Sequence, residues 1–546
     1  MSELLSYSYK FFGGLNLRDD PTWLKEGRTV RAQNNELVLT TGLSNKLGIT
    51  DEFPGQKTNT HWDGRFYYED KNEAPSYIAV SYPNVYIVDN ATGFPELIYD
   101  KWFSGGIPSL VPSVFGEALL VDGANPPLHI VDRTATPLAW PPVYTRDNKS
   151  VLVNSVYAQE DNPTTLGDDI GYPSFGIFAE GRYILAGDRI APTRLYESKI
   201  GSVNFSDNSG SGIDIAFFLN IFSNSKITGL EVLSNQAVVI FCENEIFIQS
   251  GTYAPINHAP DPIIQIKPLD REIGCVGPRA FAKSNNSDLF FLSSKKTLYT
   301  LSSSDNFQDA RPLGLSEIIY PALAKYSRAS LSRSILVNDK LKGELQIWLP
   351  EDNDKYYPNT RYIYSYAETK QEPEWSFDTG LNVDVNNVFV DKSNSKVIVS
   401  DISKLLVSDS GDSYNGKDIS LVYQLAPVDF GERDVIKQLH HMVAYYRLFS
   451  EEPINLTFEY AWDDAISQIE TVTLEPVITA KYGEALFSDS RFRYGSGAGD
   501  PIRKVVIPVG DSQGDIFQVT IKASGKFQLF LSELRFRYSF NQRSSL

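Results

Sequence analysis

This 546-residue chain is short of the residues that carry most protein chemistry: two cysteines, two methionines and five histidines. Two thiols, Cys242 and Cys275, cannot build a disulfide framework for a chain this long. Each lies among apolar residues, where a buried structural thiol is expected. The histidines (His61, His129, His258, His440, His441) contain neither HExxH nor His-x-His. His440 and His441, being adjacent, would point to opposite sides of a strand. GxGxxG and Walker loops are absent, and Gly495-Ser496-Gly497-Ala498-Gly499 reads as a loop, its serine lying off the centre that a nucleophile elbow needs. No run approaches the roughly eighteen apolar residues of a membrane span. The opening MSELLSYSYKFF lacks the basic and apolar regions of a secretory signal, so a chain made and folded in a cytosol is expected. No cofactor, metal or enzymatic activity is expected.

Positive charge is also scarce. Fifty Lys and Arg stand against 68 Asp and Glu, for a net charge of −18 and a pI near 4.9. That balance excludes a protein that grips nucleic acid through its phosphates, which needs clustered cations. A channel that DNA slides through without sticking remains compatible with it. The charge is uneven. From Arg491 to Leu546 nine basic residues (Arg491, Arg493, Arg503, Lys504, Lys522, Lys526, Arg535, Arg537, Arg543) face four acidic ones (Asp500, Asp511, Asp515, Glu533). The tail's net of +5 leaves −23 on residues 1–490. Such a tail suits either docking or a solvated strand face.

The chain is rich in Tyr (30), Phe (31), Gly (37) and Pro (30), a mixture that favours pleated strands joined by tight turns. Short apolar runs recur in pairs: Tyr77–Val80 with Val85–Val88, Ala237–Cys242 with Glu245–Ile248, and Leu289–Leu292 with Leu298–Leu301. Glu344–Trp348 with Arg361–Tyr366 and Lys396–Ser400 with Lys404–Val407 continue the series. Repeated hairpins over this length suit a β-propeller, although a stack of sandwiches would read alike locally. After Asp412–Lys417 the strands lengthen: Ile419–Leu425, Met442–Leu448, Ile454–Tyr460, Lys504–Val509, Ile516–Ala523, Phe527–Leu531 and Leu534–Phe540. Seven strands there fit one β-sandwich. Only Leu315–Lys325 and Asp434–Leu439 suggest helix.

Acidic clusters fail as sites. Glu351-Asp352-Asn353-Asp354 resembles a calcium loop, but Tyr356 takes the next alternate position and no Gly follows. Ser303–Phe307 and Ser408-Asp409-Ser410-Gly411 lack the spacing of a sialidase-type Asp-box and read as turns. An arginine triad and Tyr nucleophile for that chemistry are not identifiable.

The first fifty residues carry backbone-shaping motifs without a nucleophile, base or ligand set. Gly13, Gly14 and Asn16 are followed by Asp20-Pro21, then Asn34, then Gly42, Lys46 and Gly48. This reads as an extended arm with fixed bends that packs on another part of the protein or on a neighbouring subunit. The order GGLN…DDP…N…TGxxxKxG resembles the opening of β-propeller virion proteins of tailed phages, the tail nozzles and related tail-tube components. An internal segment adds to the likeness: the hairpin Val238–Ile248, then Ile273-Gly274-Cys275-Val276-Gly277-Pro278, then Phe290-Phe291-Leu292-Ser293. Gly274 would allow a positive φ and Pro278 a rigid exit. The family often has Ser at the place of Gly277 and a glycine at Lys295-Lys296.

The resemblance covers residues 7 to about 420. Together with the strand pattern it gives the expected all-β chain: an N-terminal extended arm (1–52), a β-propeller (53–417) and, from the strand pattern alone, a C-terminal β-sandwich (418–546). It also implies a structural virion protein of the tail, assembled in the host cytoplasm as a homo-oligomeric ring, a hexamer by analogy, whose lumen DNA crosses during ejection. Partners would be other tail or head-tail connector proteins, with transient non-specific contact to phage DNA. A receptor- or glycan-binding tail protein is the alternative, with a propeller glycosidase behind it.

Overall fold

A computed structural model describes residues 4–9, 18, 29, 31–38, 42–47, 49–53, 60–72, 74–103, 106–142, 156–161, 171–206, 216–233, 237–251, 264–284, 288–301, 313–366, 374–431, 435–450, 452–463, 468–476 and 502–540. Strand occupies 56% of the described residues and helix 3%, which makes the described structure all-β.

Seven small antiparallel sheets follow one another along the chain. Their ring-facing strands are Gly64–Glu69, Ser109–Pro112, Phe175–Ala179, Ile227–Val232, Phe281–Lys283, Ile335–Asp339 and Val385–Val390. Each opens its blade's consecutive strands except in the third, where Ala158–Asp161 precedes it on the outer side. These inner strands abut in sequence order, and the seventh returns to the first, closing a ring. Between the fourth and fifth sheets the approach is tight, since a Cβ on Gly229 would lie 2.4 Å from the Phe281 ring. The result is a seven-bladed β-propeller. Ring closure uses side chains as well as packing. Asn386 and Asn387 of blade 7 donate to the carbonyls of Trp62 (2.7 Å) and Arg65 (2.8 Å) on blade 1.

Blade 7 is completed from the other end of the chain. Its three consecutive strands, Val385–Val390, Val397–Asp401 and Leu405–Ser408, take Ile49–Asp51 as the fourth. A strand inside the N-terminal stretch therefore belongs to the propeller.

The remaining strands form two packed sheets. One runs Asn35–Val38, Gly42–Asn45, Gln528–Phe540, Lys437–Phe449, Arg503–Gly514, with Leu5–Tyr9 paired to the far end of Gln528–Phe540. The other continues blade 6 without a break. Beyond its outer strand Glu374–Asp378 come Arg31–Gln33, Ile419–Gln424, Phe517–Gly525, Ile454–Trp462 and Gln468–Leu474, a nine-stranded sheet in all. Tyr9, Phe430, Met442, Phe458, Phe517 and Phe536 fill the space between them. That cluster is continuous with Phe290, Phe291, Leu345 and Ile347 of blades 5 and 6. Propeller and sandwich share one core.

Three expectations are corrected. From Val435 on, the expected helix Asp434–Leu439 is not helical (Asp434 lies outside the described residues): Lys437–Phe449 is a strand hydrogen-bonded on both sides, and that pairing overrides a short helical pattern. Phe527–Leu531 and Leu534–Phe540 are one strand, Gln528–Phe540, with Ser532 bulged between the partners of Tyr445 and Tyr446. Gln468–Leu474 is a strand that the hydrophobic pattern did not mark. The segment Leu315–Lys325 gives only a 3-10 turn at Glu317–Ile319 and one helical turn at Tyr320–Leu323.

Candidate functional site

The N-terminal motif residues act within the chain. Asn34 sits between two strands at φ 55°, a left-handed conformation that asparagine tolerates. Its amide donates to the Ser420 carbonyl (2.6 Å), and its side-chain oxygen accepts from the Thr379 N–H (2.9 Å). Its own N–H reaches the Phe377 carbonyl (2.9 Å), and its carbonyl accepts from the N–H of Lys46 (2.9 Å). One residue thus pins blade 6 to the sandwich. Lys46 is 1% exposed and pairs with Glu344 of blade 6 at 3.2 Å. Gly42 opens a strand that pairs with Asn35–Val38. Gly13, Gly14, Asn16, Asp20, Pro21 and Gly48 lie outside the described residues.

Gly274 and Pro278 lie elsewhere, in the loop from blade 4 to blade 5. Gly274 is not at positive φ, a further correction. It is glycine because a Cβ there would lie 2.2 Å from the Cys242 carbonyl and 2.5 Å from the Asn244 nitrogen. Beside it, a Cβ on Gly277 would stand 2.3 Å from the Ser332 carbonyl. These glycines let three loops meet.

Next to Lys46 lies a buried charge network that motif reasoning missed. Arg361 is fully buried in blade 6 and donates from Nε to Asp378 at 2.6 Å. Its other arm reaches Asp409, which also pairs with Lys342 at 2.8 Å. Burial alone would lower the Arg361 pKa, but Asp409 and Asp378 hold it above its usual value. Burial likewise opposes the Asp409 charge, yet Arg361, Lys46 and Lys342 keep its carboxyl below the usual range. The geometry is that of a structural staple.

The basic tail is partly sorted onto one surface. In the six-stranded sheet, Leu439, Met442, Leu534 and Phe536 face the core, while the alternate residues face out. Cross-strand rows place Lys504 by Tyr445 and Glu533, Val506 by Val443 and Arg535, and Pro508 by His441 and Arg537. Arg447 extends this face opposite Phe530. Arg535 lies over the Tyr445 ring at 5.2 Å and pairs with Glu533 at 3.0 Å. From the first strand only Ser6 and Ser8 approach, opposite Arg537 and Arg535. The outcome is an outward face with Lys504, Arg447, Arg535 and Arg537 on an acidic protein. Arg491, Arg493 and Arg543 lie outside the described residues.

Other candidates resolve into structure. Both cysteine thiols are buried and free, and burial pushes each up to about 12, so neither is a thiolate nucleophile at neutral pH. His129 bonds Glu117 (2.9 Å) and His440 bonds Ser539 (2.8 Å). His258 lies outside the described residues, as do Ser303–Phe307 and Gly495–Gly499. Among the described residues no group of three His, Cys, Asp or Glu is arranged to hold a metal. The Asp352 carboxylate accepts from the N–H groups of Asp354 (2.9 Å) and Lys355 (3.0 Å), closing its own turn. Trp62, Trp102, Trp348, Trp375 and Trp462 are all buried, so no tryptophan among them forms a shelf for sugars.

The propeller face built by the blade-to-blade loops holds two cavities. The larger, of ≈ 430 Å³, lies between blades 6 and 7, where Glu351, Asp384, Asp401 and Lys417 join Asn382 and Asn415. The smaller, of ≈ 60 Å³, gathers Arg279, Arg333, Tyr356 and Tyr357 against Asp63 and Asn386.

No family model and no curated protein matches this chain. Solved structures that it is similar to include the RRP9 WD40 repeats, at 7% identity over 67% of this chain and 99% of that one, TM-score 0.39. The β-propeller domain of Cps50 (Swd1) from Myceliophteria thermophila follows at 6% identity over 63% and 96%, TM-score 0.38. PorZ of Porphyromonas gingivalis is 12% identical over 73% of this chain and 44% of its own, TM-score 0.34. The propeller assignment rests on the sheet order and ring closure described above.

Proposed function

We propose that this chain is a structural subunit of a phage tail. Copies assemble in a ring, six by the resemblance, around a channel that DNA crosses during ejection. The observation that carries the reading is the separation of charge: a basic sheet face on a chain whose first 490 residues carry −23. A basic patch on one copy complements acidic surface on the next. A contact between two different patches is heterologous, and such contacts close into a ring when the rotation between copies closes. The single shared core of propeller and sandwich supports a rigid building block. Neighbours in the tail or head-tail connector would meet the ring at its ends.

Light scattering and negative-stain images of the purified protein test this. Rings at low salt that dissociate as salt rises, and fail to form in an Arg535→Glu, Arg537→Glu variant of unchanged circular dichroism, are expected. A monomer at every concentration and salt overturns the reading. Duplex DNA should stay unbound at physiological salt, since a conduit wall must not hold phosphates. Tight binding that weakens steeply with salt would instead mark a DNA-gripping component.

A further inference from the structure

Several buried arginines among the described residues are met by acidic groups. Arg361 is answered by Asp378 and Asp409, and Arg182 by Glu197 at 3.7 Å. Arg65 donates to the Asp401 carbonyl at 2.9 Å, with the charges of Asp401 and Asp51 acting on it. Arg279 and Arg333 are different. They leave consecutive loops, from blade 4 to 5 and from blade 5 to 6, and both line the ≈ 60 Å³ cavity. Among the described residues, neither forms an ion pair with a carboxylate. In a chain with 68 acidic residues, two such guanidiniums on one cavity call for an explanation.

Their protein partners are backbone oxygens and rings. Arg279 Nη1 donates to the Asn386 carbonyl, and Arg333 Nη1 to the Lys355 carbonyl at 2.8 Å. Arg333 also lies over the Tyr356 ring at 4.8 Å. A guanidinium has five N–H donors, so most of those on both residues are unused. Burial pushes the Arg279 group down to about 10. The acid in the cavity wall, Asp63, is already engaged. Its carboxylate accepts from the Tyr82 N–H (3.0 Å) and lies 3.7 Å from His61.

We propose that this cavity takes one carboxylate from a peptide segment of a partner protein, held between Arg279 and Arg333. At ≈ 60 Å³ it has room for an oxyanion. The body of the ligand stays outside. Around the mouth, Ile107 and Tyr356 are 41% and 53% exposed, and Phe103, on the same loop as Ile107, is 65% exposed. An acidic residue flanked by apolar ones matches this surface. A nucleic-acid strand matches it poorly, because phosphates need a row of cations, and this wall includes Asp63. Arginine suits the task, since its planar fork holds a carboxylate through two parallel bonds.

The full-length protein is titrated by calorimetry at low salt with acetyl-Phe-Glu-Leu-amide, its Gln counterpart, and acetyl-Phe-Leu with a free C-terminus. A carboxylate peptide should bind at least about tenfold more tightly than the Gln peptide, and Arg333→Gln should remove that advantage. Arg333 is half-buried, so this variant keeps the test open if Arg279→Gln fails to fold. The two acidic probes separate a side-chain carboxylate from a chain terminus. Equal binding of the Glu, Gln and free-acid peptides, no binding of any, or full affinity in Arg333→Gln overturns the proposal. Tighter, Arg333-dependent binding of an oligothymidine also overturns it, in favour of a phosphate.

Discussion

Propeller and sandwich use the same apolar residues in different rhythms. Arg182–Ala186, Val238–Cys242 and Leu289–Leu292 are buried at every position, because each blade lies between two others. Ile454–Trp462 and Phe517–Gly525 alternate, one face on the core and one in water. Charge follows the same division. In blade 6 of the propeller, Arg361 is buried within its sheet and matched by Asp378 and Asp409. On the sandwich, Lys522 and Arg535 stand on a solvent-facing side, where their pairs with Glu459 and Glu533 are open to water. A change of charge should therefore cost far more in the first region than in the second.

The largest effect tests the buried side of that contrast. Arg361→Gln removes the ion pair of buried Asp378 and leaves Asp409 with Lys342, and should lower the unfolding free energy by about 3–5 kcal/mol in urea titrations. A loss below about 1 kcal/mol would mean that the network is open to water.

Asn34→Ala comes next, at about 2–3 kcal/mol, since two side-chain hydrogen bonds and a tolerated left-handed conformation are lost. Asn34→Gly keeps the backbone and loses only the bonds, so it should recover part of the loss. Equal stability of the two variants would remove the conformational share of the argument.

A smaller, pH-dependent effect comes from blade 3. Burial, with the Glu197 charge, pushes Glu180 up to about 7, and burial pushes Glu197 up to about 6 against the pull of Arg182. Both carboxyls bind protons more tightly in the folded chain than at the ordinary value of 4.5, so stability should fall as pH rises from about 4.5 to about 7. Glu180→Gln should flatten part of that slope in urea midpoints measured across the range. An unchanged slope would assign it to other groups.

The smallest effect tests the exposed side. Lys522 pairs with Glu459 on the sandwich surface, and Lys522→Met should change stability by less than about 1 kcal/mol. A loss as large as that in Arg361→Gln would erase the contrast between the two regions.

The same contrast governs what was legible beforehand. Propeller hairpins announce themselves because double-sided burial makes unbroken apolar runs between turns. Gln468–Leu474 stayed hidden because it is an edge strand with a mostly exposed pattern. Ser532-Glu533 looked like a break because a bulge interrupts alternation without ending the strand. Among the site residues, Asn34 and Lys46 stood out only through the resemblance; hydrogen bonds to Ser420 and Glu344 explain them. Arg361 could have been noticed as a lone charge in the aromatic run Thr360–Ser365. Its partners lie 17 and 48 positions away, beyond the reach of any local pattern.

The crossing of the chain's two ends has a consequence for the order of synthesis. Thr50 bonds Ser410, 360 positions later, and the Tyr9 hydroxyl accepts from the N–H of Ala426, 417 positions later. Residues near positions 9 and 50 are thus synthesised hundreds of residues before their partners. Such long-range closure slows folding. It also makes completion self-reporting. The basic face needs Lys437–Phe449, Arg503–Gly514 and Gln528–Phe540 side by side, so a chain interrupted before Gln528–Phe540 presents no finished face. Translation itself would then act as the gate that keeps partial chains out of an assembly.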